Sequence, residues 1–187
     1  VSPANQPLAA TVRPLMKLEP LQDLVASDLA EVDRIIRANM TSPVALVGLV
    51  AEHIVAGGGK RLRPLTVLLA ARAASGGTPP PGARHCEAAA VIEFIHTATL
   101  LHDDVVDHSS MRRGRDTANA LFGNEASVLV GDFVYSRAFQ MMAAIGSQRV
   151  MEIMADATNV IAEGEVLQLM NAQDPETTEE RYLEVIY

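Results

Sequence analysis

The chain has 187 residues, of which 49% are hydrophobic but only 4% are aromatic, and Trp is absent. This length suits a single domain, and a core rich in Ala, Leu, Val and Met is typical of packed helices rather than sheets. The net charge of −8 argues against a nucleic-acid partner. No uninterrupted apolar run approaches the roughly 18 residues of a membrane span. Cys86 is the single cysteine, which excludes an intrachain disulfide and favours a reducing cytoplasm.

The N-terminal segment divides into an arm and a first helix. Residues 1–20 contain four prolines and no clear periodicity, so we expect a poorly ordered arm there. From Leu21 to Ile36, apolar residues recur at spacings of three and four, which predicts an amphipathic helix. Residues 21–187, which show helical patterns throughout, are assigned to the N-terminal portion of a single all-α domain.

Proline and glycine mark the bounds of the next two helices. Ser42 followed by Pro43 predicts a helix start with Ser42 as its cap, and this helix ends at the glycine run 57–59. Pro64 predicts the opening of another helix, which ends near Gly76.

The second half of the chain has long helical patterns. A helix is predicted over 83–107, followed by a polar, Arg-rich loop over 108–116. Asn124 is a candidate cap for the next helix, which ends near Gly146, and a further helix is predicted over 147–173.

A last helix is predicted after Thr177, because Glu180 follows three residues later and completes a capping box. The sequence contains neither a strand pattern nor an internal repeat, so the predicted fold class is all-α.

The first chemical signal is an acidic pair at the end of the long helix over 83–107. Asp103 and Asp107 are four residues apart, so both carboxylates lie on one face. They also sit at the negative end of the helix dipole, which adds to their mutual repulsion. A hard cation such as Mg²⁺ would relieve that repulsion, and it commonly completes its shell with substrate phosphate. The pair predicts a metal-bridged phosphate site; a solvated acidic helix end is the alternative.

The second signal is a set of basic residues on both sides of this acidic pair. Lys60 and Arg63 flank a predicted helix start and can address one anion. Three arginines follow the aspartates within 112–115, and His96 lies on the same helix face as Asp103. A solvated basic turn and a core histidine are the plain alternatives. Taken together, the clusters predict two diphosphate sites, one held by metal and one by cationic side chains.

These motifs resemble the trans-prenyl diphosphate synthases, and among them the bacterial octaprenyl diphosphate synthases. The segments that carry the resemblance are GGKRLRP at 58–64, EFIHTATLLHDDVVD at 93–107, MRRG at 111–114, NEASVLVGDF at 124–133 and AEGEVLQL at 162–169. The resemblance covers about 21–187. It implies an isoprenoid-synthase-type helical bundle around a central cavity, here incomplete, and elongation of isoprenoid diphosphates.

The resemblance implies two substrate sites. Lys60, Arg63 and His96 would hold the diphosphate of isopentenyl diphosphate, with Arg113 assisting. The second substrate would be an allylic diphosphate such as farnesyl diphosphate.

The resemblance also implies a metal cofactor at the allylic site. Asp103 and Asp107 would bind Mg²⁺ that bridges the allylic diphosphate, with Asp104 supporting. Arg112 would contact that diphosphate, and Gln168 would lie near this region.

The resemblance further implies that product length depends on residues about one turn before the aspartates. Ala98 and Thr99 are small, which would leave a tunnel open for a growing chain of about C40, a length used for quinone side chains. Met142 and Met154 are candidates for the tunnel floor, since unbranched side chains suit a sliding hydrocarbon. Plain core packing is the alternative for both methionines.

Family members carry a second Asp-rich motif and a Lys-Thr pair that do not occur in these 187 residues, so we expect the chain alone to be nearly inactive. The resemblance also implies a homodimer, and the helix over 124–145, which is apolar on much of its circumference, is the candidate interface. A short-chain (C15 to C20) synthase and a non-catalytic subunit of a heteromeric synthase stay open as alternatives. A class I terpene cyclase would leave the basic residues without purpose, and a purely structural bundle would leave the aspartate pair unexplained.

Overall fold

The computed structural model describes residues 17–172 and 174–186, and most of the predicted N-terminal arm over 1–20 lies outside these residues. The elements in chain order are α1 Glu19–Leu24, α2 Ala26–Asn39, α3 Ala45–Ala56, α4 Leu62–Ala74, α5 Arg84–Val106, β1 Met111–Arg112, β2 Arg115–Asp116, α6 Ala118–Phe122, α7 Asn124–Ile145, α8 Gln148–Asn171 and α9 Glu179–Ile186. The predicted all-α fold class is confirmed.

Helix α5 is the centre of the bundle, and it packs against α2, α4, α6 and α7. Its buried residues occur around most of its circumference rather than along one stripe, as expected for a helix surrounded by others. Alanines at 89, 90 and 98 are fully buried, and their small side chains let neighbouring helices approach closely. Phe94 is the largest fully buried side chain. This packing fixes the α5 backbone, from which the side chains of His96 and Asp103 project.

Helix α7 has the length and composition of a membrane span, because one window of it reaches a mean hydropathy of 1.2. One such helix is weak support for a span, since the core helix of a soluble protein passes the same test. Here 39% of the window is buried inside the chain, and its buried stripe packs on α5. Asp132 and Arg137 interrupt the apolar run, which is why the sequence predicted no span.

The loop predicted over 108–116 contains a short β-hairpin, so the expectation of no strand was wrong there. Met111 pairs with Asp116, and Arg112 pairs with Arg115. Arg113 and Gly114 form the turn with φ of 54° and 76°, as tight two-residue hairpins require. Two-residue strands are too short to show alternation in the sequence, which explains why the pattern missed them.

Two predicted helix starts shift by one or two residues. Helix α4 begins at Leu62 rather than Pro64, with Arg61 as its N-terminal flanking residue. Helix α7 begins at Asn124, and its flanking residue is Gly123 with φ of 91°. Asn124 is thus inside the helix instead of capping it.

Two predicted caps also differ in their hydrogen bonds. The Ser42 hydroxyl accepts from the backbone N–H of Val44 at 3.2 Å, but α3 begins later and has no side-chain cap. Before α9, the Thr177 hydroxyl donates to a backbone carbonyl of the preceding turn. Thr178, directly before the helix, accepts from the N–H of Arg181 at 3.3 Å. The capping function therefore belongs to the second threonine.

Candidate functional site

The acidic centre of the site lies where α5 ends. Asp103 occupies the last full turn and is half-buried, while Asp107 is the exposed residue that follows the helix. Burial raises the pKa of the Asp103 carboxyl, and the negative charges of Glu165 and Asp107 raise it further, against a smaller opposite effect of Arg112 and His102. Three carboxylates from α5 and α8 therefore crowd one place. Sequence reasoning did not assign Glu165, although it lies in the quoted motif over 162–169.

Asp104 turns away from this centre and is only 4% exposed. Its Oδ1 accepts from both Nε and Nη2 of Arg112, at 2.9 and 2.8 Å. Its backbone carbonyl accepts from the amide of Asn119 at 3.2 Å. Asp104 thus ties the hairpin and α6 to the end of α5. The fork of Arg112 is occupied by this carboxylate, so any phosphate contact of Arg112 would use the remaining edge of the guanidinium.

A basic cleft of about 530 Å³ opens beside α5, before the acidic centre along the helix. The four residues predicted to bind the second diphosphate all line it: Lys60, Arg63, His96 and Arg113. Lys60 and Arg63 are exposed, and the ion pairs among the described residues do not include them. Their charges are available to an anion.

Among the four cleft residues, His96 is the least exposed. Burial lowers the pKa of its imidazole, and the positive charge of Arg63 lowers it further, while Glu93 acts in the opposite direction. The ring is therefore neutral near pH 7 and carries one N–H donor. A neutral donor suits an anion site that already contains several cations, since it adds a hydrogen bond without further like-charge repulsion.

The glycine-rich loop before α4 is held by Arg61, a residue to which sequence reasoning gave no role. Its Nη1 donates to Glu93 of α5 at 2.8 Å, and its Nε donates to Asp33 of α2 at 3.2 Å. Its φ of 48° lies in the left-handed region, which is strained for a residue with a side chain. The Nη1 of Arg113 also donates to the carbonyl of Gly58 at 3.0 Å. The loop that carries Lys60 is thus fixed from three sides.

An apolar groove of about 440 Å³ runs from Asp103 along α5, α7 and α8. Thr99 lines it, one turn below the acidic centre. The neighbouring Ala98 is fully buried in the core instead. Met142 is buried in the core as well, and Met154 packs against the core as a partly buried residue. Of the four predicted chain-length residues, only Thr99 lies on the described groove.

His102 borders the same groove and packs against a glycine of α7. Its Nε2 lies 3.2 Å from the carbonyl of Val128 and 3.3 Å from Oδ1 of Asp132. A Cβ added at Gly131 would approach Nε2 of His102 to less than a normal contact. The absence of a side chain at position 131 therefore allows the ring to lie flat on α7.

Gly131→Ala should move this ring without unfolding the protein. Glycine in a helix interior costs about 1 kcal/mol relative to Ala, and a displaced rotamer with lost hydrogen bonds costs a similar amount. We expect the free energy of unfolding to change by less than about 1 kcal/mol, measured by chemical denaturation. The His102 resonance in NMR spectra should shift at the same time. A loss above about 3 kcal/mol would contradict this, because it would mean that the two helices are forced apart.

Comparison with known proteins shows which family shares this arrangement. The family described as Polyprenyl synthetase matches residues 44–187. The chain belongs to the polyprenyl synthetase family. It is 59% identical over 172 residues to octaprenyl diphosphate synthase of Escherichia coli K12, covering 92% of this chain and 52% of that protein. The resemblance stated from the motifs is thereby confirmed.

Solved polyprenyl synthetases share the fold. The crystal structure of polyprenyl synthase from Caulobacter crescentus CB15, complexed with calcium and isoprenyl diphosphate, matches with a TM-score of 0.87 and 48% identity, covering 93% of this chain and 52% of that one. Decaprenyl diphosphate synthase from Rhodobacter capsulatus matches with a TM-score of 0.81 and 52% identity, over 91% and 51% of the two chains. The chain spans about half the length of the relatives it matches.

Within this polyprenyl synthetase, the two candidate anion sites follow one another along one helix, since His96 and Asp103 are seven residues apart and lie on the same face. His96 faces the basic cleft, and Asp103 faces the apolar groove. A second cavity adjoins the cleft and includes His96, Asp104 and Arg112 in its lining. Helix α5 thus sets the separation between the groups that would hold each substrate, while the roles of the individual residues stay predictions.

Proposed function

We propose that the protein containing this chain is a trans-prenyl diphosphate synthase, which joins isopentenyl diphosphate head-to-tail to an allylic diphosphate. The observation that carries the proposal is that two sites lie along α5. One is the basic cleft lined by Lys60, Arg63, His96 and Arg113, and the other is the carboxylate cluster around Asp103. One diphosphate matches the cationic cleft. The other matches a metal held by carboxylates. Prenyl transfer is the reaction class that needs both.

The carboxylate cluster fits Mg²⁺. Asp103, Asp107 and Glu165 offer hard oxygen donors, and their mutual repulsion is what raises the pKa of Asp103 beyond the effect of burial. We propose Asp103 and Asp107 as the ligands, with Asp104 acting indirectly by orienting Arg112. When bound, Mg²⁺ would neutralise charge on the departing diphosphate and so favour ionisation.

The basic cleft would hold isopentenyl diphosphate in a fixed pose. Lys60, Arg63 and Arg113 would neutralise its diphosphate, and the neutral His96 would donate a hydrogen bond. Holding this substrate beside the allylic carbon supplies much of the rate enhancement, because it removes translational and rotational freedom before the reaction. The apolar groove would receive the hydrocarbon tail and exclude water from the cation formed on ionisation.

The groove favours a long product of about C40, a precursor of quinone side chains. Thr99 presents a small side chain to the groove, and Ala98 beside it adds no bulk to the helix. A relative named for an octaprenyl product supports this length, and one named for a decaprenyl product supports a long chain in general. Met142 and Met154 would influence the floor only through the packing of α7 and α8, since they belong to or pack against the core.

The test is to size the products made from isopentenyl diphosphate, farnesyl diphosphate and Mg²⁺ by the full-length protein. We expect products near C40, and Thr99→Phe should shorten them by several isoprene units because an aromatic ring would fill the groove. Thr66→Phe is the matched control, since Thr66 is an exposed helical threonine with the same type of back hydrogen bond. Products that stop at C15 to C20 in the native protein would support the short-chain alternative. Silence with every allylic primer would favour the non-catalytic subunit and refute the proposal.

A class I terpene cyclase is less consistent with the site. Such an enzyme ionises one allylic diphosphate and has no second diphosphate to bind. The cleft formed by Lys60, Arg63, His96 and Arg113 would then have no ligand, although three of its members are cations held close together.

We further infer a homodimer located in the cytoplasm. Helices α3 and α7 pack together and expose large apolar residues, including Leu49 and Leu129, the latter 66% exposed. A second copy of the chain is the partner that the family resemblance predicts for this face. Sedimentation equilibrium of the full-length protein tests it, and a monomer at micromolar concentration would refute it.

A further inference from the structure

A cluster of potential metal ligands lies at the opposite end of α5 from the acidic centre. It consists of Asp28 on α2 and of His85 and Cys86 in the first turn of α5. One ligand atom from each residue lies within 4.8 Å of the others. Cys86 and Asp103 are 17 positions apart on one helix, which corresponds to about 25 Å. The cluster is therefore separate from both candidate substrate sites.

His85 is the residue that points to a missing ligand. Its side chain is only 9% exposed, and Nε2 lies 3.7 Å from Oδ1 of Asp28, which is too far for a good hydrogen bond. Both ring nitrogens are buried, and neither has a hydrogen-bond partner within the described part of the chain. A buried polar group without a partner destabilises the folded state. A ligand bound by the ring would remove that penalty.

The charges around Cys86 favour a cation. The carboxylates of Asp28, Glu31 and Glu87 place negative charge around the Cys86 side chain. The positive charge of Arg72 offsets part of this negative charge, because its Nη2 lies 3.9 Å from Oδ2 of Asp28. Arg34 also pairs with Glu31 at 2.6 Å, so these three carboxylates are opposed by two guanidiniums and an excess of negative charge remains.

We propose that Asp28, His85 and Cys86 bind a thiophilic divalent cation, and that Zn²⁺ is the metal their donor atoms select. One sulfur, one imidazole nitrogen and one carboxylate oxygen form a ligand set that Zn²⁺ accepts, with a fourth position for water. The thiol proton passes to solvent as the sulfur–zinc bond forms, and sulfur supplies both electrons of that bond. The ion would join α2 to α5.

The proposal does not depend on the proposed prenyl transfer, so each can fail alone. The test uses Co²⁺ as a spectroscopic probe added to the metal-free, full-length protein. We expect one equivalent of Co²⁺ to produce a sulfur-to-cobalt charge-transfer band in the near ultraviolet, and Zn²⁺ to displace it. Cys86→Ala should abolish the band. His85→Gln and Asp28→Asn should each weaken Co²⁺ binding at least about tenfold.

Two controls keep the result interpretable. Asp156→Asn removes an exposed acid on α8 and should leave the band unchanged, as should the double variant Asp103→Asn, Asp107→Asn. If Cys86→Ala fails to fold, the other two ligand variants still decide the question, since both keep the buried thiol. Absence of the band in the native protein, or its full persistence in His85→Gln, would overturn the proposal and leave a buried histidine beside an aspartate.

Discussion

Asp103→Asn should lower the rate of prenyl transfer by about a thousandfold while the protein stays folded. A catalytic metal contributes several kcal/mol to transition-state stabilisation, and each 1.36 kcal/mol changes a rate tenfold. Asp103 is the half-buried member of the carboxylate cluster, and Glu165 and Asp107 share its surroundings. Removing its charge deprives the metal of its most enclosed ligand.

Steady-state kinetics of the full-length protein at several Mg²⁺ concentrations measure this effect. We expect kcat to fall, and the Mg²⁺ concentration needed for half-maximal rate to rise. Asp23→Asn is the matched control, because Asp23 is an exposed aspartate on α1 far along the chain from the site, and its rate should be unchanged. A loss of less than tenfold in Asp103→Asn would refute the assignment of this carboxylate as a metal ligand.

The long helices of this bundle were predictable because their signals are local. Periodic apolar residues extend over more than twenty positions in α5, α7 and α8, and glycine or proline lies near their ends. The predicted bounds agree with the structure within one or two residues. The hairpin at 111–116 was missed because its strands are too short for a period to appear.

The lining of the basic cleft was predictable from residue type and motif, while the ligands of its residues stay predictions. Lys60, Arg63, His96 and Arg113 were chosen as anion ligands, and they do line one cleft. What the sequence could not supply are contacts between distant segments. Glu165 reaches Asp103 only through the packing of α8, and the pairing of Arg112 with Asp104 depends on how the hairpin folds back.

Arg61 is the clearest case of a role that only the fold reveals, and Arg61→Ala is expected to destabilise the protein by about 2 kcal/mol. Its side chain is 22% exposed, and the Glu93 carboxylate with which it pairs is 12% exposed. The expected loss of stability lies between those for exposed and fully buried ion pairs. Without Arg61, the Glu93 carboxylate would keep a poorly hydrated charge that has no partner. For a chain of this size, we expect Tm to fall by about 5 °C.

The loss should appear in substrate binding as well as in stability. Arg61 fixes the loop that carries Lys60. In Arg61→Ala, the KM for isopentenyl diphosphate should therefore rise about tenfold, while kcat should change by a smaller factor. A residue that only stabilised the fold would lower the active fraction and leave KM unchanged. The split between KM and kcat therefore separates a positioning role from a merely structural one.

Three further variants test the physical reason. Arg61→Gly removes the same ion pairs but relieves the left-handed backbone, so it should be more stable than Arg61→Ala by about 1 kcal/mol. Glu93→Gln should recover part of the stability lost in Arg61→Ala, because it removes the unpaired buried charge.

Arg34→Ala breaks an exposed ion pair within one helix and should leave stability and KM unchanged. Equal effects of Arg34→Ala and Arg61→Ala would mean that the bridge between α2, α5 and the loop contributes no more than an ordinary surface contact.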